Sequence, residues 1–115
     1  MTITSVIQIG GLLNLVHDRW FDVERVVLDR EHKVVALHLE TKKADLAKGS
    51  KTGIRLLIKN AESLTINDTE KVRDYDLNEI KFDATSGRVI ITGGIRITVE
   101  IKVSSLELEA VSNTV

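Results

Sequence analysis

The chain has 115 residues, a net charge of −1 and no cysteine or proline. That length fits one domain, which buries roughly two-thirds of its unfolded surface without a covalent staple. Zero cysteine excludes disulfides, thiolate nucleophiles, iron–sulfur clusters and cysteine-based zinc sites, and a reducing cytoplasm is the expected compartment. No apolar run approaches the ~20 residues of a membrane span, and the uncharged start Met1–Ser5 does not read as a signal peptide.

In chain order, Thr2–Ile9 alternates and predicts a strand, interrupted at Gly10-Gly11. Leu12, Val16 and Trp20 recur at intervals of four, which fits either a short amphipathic helix or an extended run over 12–20. Val23–Leu28 and Lys33–Glu40 then read as a hairpin around Asp29-Arg30-Glu31-His32, with Val26 and Leu28 on one face and Val35, Leu37 and Leu39 on one face. Residues 41–52 read as a lysine-rich loop. Ile54, Leu56 and Ile58 form the inward side of a strand, and Leu64 with Ile66 follows after a turn at Asn60-Ala61.

Residues 67–74 are a charged loop with room for one helical turn. Leu77–Phe82 is the next strand, closed by Asp83–Gly87. Arg88–Thr92 meets Ile95 through Gly93-Gly94, a pair that fits a tight hairpin turn. From Ile95 to Val103 every odd residue is aliphatic, as a strand with one buried face requires. Ile95, Ile97, Val99 and Ile101 are thus expected in the core, with Leu37, Leu39, Leu56 and Ile58 as neighbours. Leu106–Ala110 resumes the alternation and completes a predicted three-strand meander. The expected fold is one mainly β domain over 1–115: an antiparallel sandwich, curled sheet or partly closed barrel of seven to nine short strands, with room for one N-terminal helix.

Chemistry-bearing residues are sparse. His17 and Asp18 are adjacent, as in some metal-dependent hydrolases, but only His32 and His38 remain as further imidazoles, and neither has ligand spacing. No metal and no cofactor is expected. With Trp20 and Asp22, His17 and Asp18 make a polar–aromatic cluster that could rim a binding site or simply cover one end of the core. Lys42, Lys43, Lys48 and Lys51 open a basic segment that runs to Lys59, yet no aromatic residue is interleaved for base stacking, so nucleic-acid binding is the weakest reading. Asp74 and Asp76 share one face of an extended chain, which makes an acidic edge. No nucleophile elbow, dinucleotide fingerprint or phosphate-binding loop occurs. The residues favour a non-enzymatic interaction protein, with a ligand-binding or enzymatic domain using His17 and Asp18 as the alternative.

The order of features resembles small bacterial domains of the immunity-protein-50 type and related β-rich families. The likeness lies in His17-Asp18-Arg19-Trp20-Phe21 before Val26–Asp29, in the run Ile54–Ile66, and in the later strands Tyr75–Asp83 and Gly87–Leu108. It implies binding and neutralisation of a protein partner, without catalysis. A homodimer is also expected, either through the Leu106–Ala110 edge, which carries no lysine, or through outward Val27 and Leu57.

Overall fold

The computed structural model describes residues 1–46 and 53–112. Lys48 and Lys51 of the basic segment lie outside the described residues. In chain order the elements are β1 (Thr2–Ile3), α1 (Ile9–Val16), β2 (Trp20–Asp22), β3 (Leu28–Asp29), β4 (Val34–Leu39), β5 (Ile54–Ile58), β6 (Ala61–Asn67), β7 (Asp74–Asp83), β8 (Arg88–Gly93), β9 (Thr98–Val103) and β10 (Leu108–Ser112). Short 3-10 turns span Val6–Gln8, Val23–Arg25 and Lys43–Leu46.

The strands form two antiparallel sheets of five, in the orders β1-β10-β5-β4-β3 and β2-β7-β8-β9-β6. Backbone bonds lace the sheets together. Trp20 N–H donates to the Glu40 carbonyl at 2.7 Å and Glu40 N–H donates back at 2.9 Å. Elsewhere Ala61 N–H donates to the Lys33 carbonyl at 2.8 Å. The result is a sandwich curled toward a barrel, the mainly β architecture expected from the sequence.

Alternation decides which residues are inside. Val35, Leu37 and Leu39 from one sheet share a core with Val89, Ile91, Val99 and Ile101 from the other, and all are fully buried. Leu56 and Ile58 belong to the same core. Ile97 joins it, but Ile95 does not; it stands 39% exposed. The reason lies in the turn. Thr92 pairs with Thr98, so residues 93–97 form a five-residue connection rather than a two-residue turn. Gly93 and Gly94 are there for close approach. A Cβ on Gly93 would lie 2.7 Å from the Asp76 carbonyl oxygen, and Gly94 N–H donates to the Asp76 carboxylate at 3.1 Å.

The N-terminal region departs from expectation in three ways. Only Thr2–Ile3 is strand, pairing with Glu109 and Leu108. Gln8 Oε1 then accepts the Thr4 and Ser5 N–H groups at 3.0 and 3.2 Å and turns the chain into a helix. Gly10 and Gly11 lie inside that helix, although each costs about 1 kcal/mol relative to alanine. The helix buries Ile9, Leu12 and Val16 and ends before Trp20, which belongs to β2.

The first expected hairpin is shorter than its sequence pattern. Val23–Arg25 is a 3-10 turn, because the Asp22 side chain accepts Glu24 N–H at 2.9 Å. Only Leu28–Asp29 pairs with β4. The loop after β6 has no helical turn. Asp68 accepts Lys71 N–H at 3.0 Å instead, and Lys71 and Arg73 both adopt positive φ.

The largest correction concerns β10. It does not extend the β8–β9 hairpin into a meander. It crosses to the other sheet, where it pairs with β5 on one side and β1 on the other. Its backbone is therefore occupied on both sides, and the Leu106–Ala110 edge expected to mediate dimerisation does not exist. Lys59 holds this junction through Glu109 at 3.1 Å and Glu107 at 3.4 Å.

Three carboxylates, Asp29 and Asp83 exposed and Glu109 half-buried, have pKa values lowered in the folded protein. Asp29 is held below its ordinary value chiefly by the His32 N–H and then by its ring, Asp83 by bonds from Ser86 and Thr85, and Glu109 by Lys59. Each lowered value means that folding favours the ionised form. The stabilisation is present above the unfolded values and is lost as pH falls through the lowered folded ones. The melting temperature should therefore decline between about pH 5 and pH 3. An Asp83→Asn variant should show a shallower decline; an unchanged slope would remove Asp83 from the account.

Candidate functional site

One end of β2 brings together a buried carboxylate, two arginines and a lysine. It is built from β2, the turn Lys43–Leu46 and the residues leading into β7. Asp22 is the pivot. It is 4% exposed, one of two buried carboxylates among the described residues. Burying a carboxylate is costly unless it is paired. Here Oδ2 accepts Arg73 Nε at 3.1 Å and stands 3.0 Å from Nη2. Arg25 Nε lies 3.8 Å from the same oxygen. The bond to Asp22, reinforced by its charge and that of Glu24, raises the Arg73 pKa further.

Arg73 is itself held in place by its backbone. Its φ is +74°, a region costly for a side chain-bearing residue, and its carbonyl accepts Val23 N–H at 2.9 Å. Its side chain is nevertheless 58% exposed. It is fixed by a buried acid while facing water.

Trp20 is half-buried beside this pair, with Lys43 Nζ 5.4 Å from its ring centroid. Asp22, Lys43, Leu46, Arg73 and Asp74 line a groove of about 500 Å³. The second buried acid is Glu40, at 1% exposure, whose backbone bridges to Trp20. Among the described residues its Oε2 has no hydrogen-bond partner, and its Oε1 stands at the long ion-pair distance of 3.9 Å from His38 Nε2. A Cβ on Gly53 would collide with this carboxylate, so glycine is what leaves it room.

Of the residues expected at a site, Asp22 lines the groove, and Trp20 adjoins it through Lys43, whose Nζ lies over its ring. His17 and Asp18 do not contribute to the groove. They lie on the turn after α1, both exposed, with 3.3 Å between Nδ1 and Oδ2. The Asp18 N–H donates to the Leu77 carbonyl at 2.8 Å, and its φ of +64° serves that turn. His32 is tied to Asp29 at 2.8 Å, so the three imidazoles serve separate places. No group of three or more histidine, aspartate or glutamate side chains with metal-binding geometry occurs among the described residues.

Lys42 and Lys43 are exposed, and Lys43 contributes to the groove, whereas Lys59 is neutralised by two glutamates. Asp74 faces the groove while Asp76 binds Gly94, which separates that acidic pair in role. Sequence reasoning missed Arg73, Arg25 and Glu40. Arg73 meets Asp22 across 51 residues, and no local pattern marks that pairing.

Comparison with protein-family models, with curated proteins and with solved structures finds no match to this chain. Among the described residues no helix is long and apolar enough to cross a membrane.

Proposed function

We propose that this is a non-enzymatic interaction protein that docks a protein partner on the β2 face, with Trp20 and Arg73 as anchors. One observation carries the reading: a buried carboxylate holds an arginine whose side chain stays exposed. Tryptophan and arginine dominate binding energy at protein interfaces, and prior orientation lowers the entropy lost on docking. Arg73 is 58% exposed and Lys43 lines the same groove beside Asp74, so the proposed partner surface offers carboxylates to these two cations. The likeness to immunity-protein-50 domains gives that partner a class, a protein toxin blocked by occlusion. Absence of cysteine fits a reducing cytoplasm for the encounter.

The proposal includes a two-fold dimer. Met1, Val6, Ile7 and Leu15 are all exposed large apolar side chains, and they lie within the first sixteen residues.

A photoreactive amino acid at Ala44, on the rim of the groove, tests the docking face in living cells. It should give one discrete adduct of higher mass with a protein other than this chain. The same group at Glu62, on β6, should not. Identical adduct patterns from both positions, or none from Ala44, would contradict the assignment.

A further inference from the structure

We infer that the dimer forms through the groove between α1 and β7, and that its occupant is a second copy of this chain. This rests on the proposal that the protein self-associates, and it supplies the surface that β10 cannot.

The first sixteen residues contain no aspartate, glutamate, lysine, arginine or histidine, in a chain that is 29% charged. Among the described residues they also hold four of the seven exposed large apolar side chains, the others being Val27, Val72 and Ile95. Ile7 is 92% exposed and Val6 55%. Beside them runs a groove of about 430 Å³, walled by Val6, Gly10 and Leu13 on one side and by Ile80 and Phe82 on the other. Ile7 is a free apolar knob next to an apolar slot.

Gly10 adds an independent observation. A Cβ built there would meet nothing within 4 Å, so the chain's own packing does not call for glycine. Glycine is disfavoured within a helix, and alanine would serve the isolated chain better. A bare backbone on the wall of an apolar groove fits close approach by another body.

Charge identifies that body. A two-fold interface sets each patch against itself, so any net charge on it meets like charge. This patch has none. The ions on its rim are Glu79 and Lys81, already paired at 3.2 Å. Turned about a two-fold axis, Glu79 can face the partner's Lys81, so the rim is self-complementary. A lipid surface fits less well, because interfacial helices carry lysine or arginine on their polar face and α1 has neither. The helix is only about 12 Å long, so the contact is smaller than the ~800 Å² per partner of a standard interface. The dimer is therefore expected to be weak and concentration-dependent.

Sedimentation velocity from ~1 to ~500 μM tests this on three proteins. Wild type should move from one-chain to two-chain mass across the range. Ile7→Lys changes a side chain that the monomer leaves exposed; it should weaken the dimer at least about tenfold and leave the dilute-solution Tm unchanged. Gly10→Ala should split in sign, raising that Tm by about 4 °C while weakening the dimer several-fold. Wild type that stays monomeric throughout overturns both the dimer and its surface. A dimer that both variants leave intact overturns the surface alone and keeps the dimer. Binding of wild type to neutral phosphatidylcholine vesicles, without dimer in solution, assigns the groove to lipid and overturns the inference.

Discussion

Val99→Asp should abolish folding. Val99 is fully buried near the start of β9, opposite Ile91 on β8 and Ile66 on β6. Its side chain belongs to the core shared by both sheets. A carboxylate placed there has no donor to receive, and burying an unpaired charge costs several kcal/mol or more. The whole domain has only about 5–15 kcal/mol of stability to oppose that. The expected result is the loss of a cooperative thermal transition at neutral pH. Val99→Ala is the control: it leaves a cavity worth about 2 kcal/mol, melts at lower temperature and stays cooperative. If the aspartate variant melts like wild type, β9 does not bury the face assigned to it.

Glu40 should respond in the opposite direction. A buried polar atom without a partner is a standing cost, and Oε2 of Glu40 is such an atom. Methionine has nearly the same reach and no polar atom to satisfy. The backbone bonds between Glu40 and Trp20 do not depend on the side chain, so they survive the change. Glu40→Met should therefore stabilise the fold by about 1–3 kcal/mol, a rise of several degrees in melting temperature. A fall would mean that the carboxylate makes a stabilising contact in the folded protein. Proteins break local rules mainly where function asks for it, and the Glu40 backbone bridges to Trp20, one of the proposed anchors.

The strands were legible where one face is buried and the other wet. Val99, Ile101, Leu37 and Leu56 could be placed in the core from alternation alone, since period-two patterning is what half-buried strands require. Ile95 shows the limit. It continues the alternation but falls on the far side of a turn whose length is set by Asp76, eighteen residues away from Gly94. The path of β10 was illegible for a related reason. Its alternation fits either sheet, and the choice is made by pairing with β1 and β5, both distant in sequence. The helix at Ile9–Val16 was half hidden by its two glycines, which speak against a helix in any local reading.

The candidate site divides along the same line. Trp20 and Asp22 stood out because aromatic and acidic residues cluster before a strand. His17 and Asp18 stood out equally and lie on an exposed turn instead. Adjacent residues in a chain need not share a groove, and Arg73, which does, is announced by nothing near it in sequence.

The most direct test of the docking account repeats the Ala44 photo-crosslink in an Asp22→Asn background. The amide keeps the shape of the side chain and can still accept Glu24 N–H, so the turn after β2 should survive. It removes the charge that fixes Arg73. If Arg73 anchors the partner, adduct yield should fall about tenfold or more while the melting transition stays cooperative. An adduct of undiminished yield in this folded variant would contradict the central claim that Asp22 holds Arg73 in readiness for a protein partner.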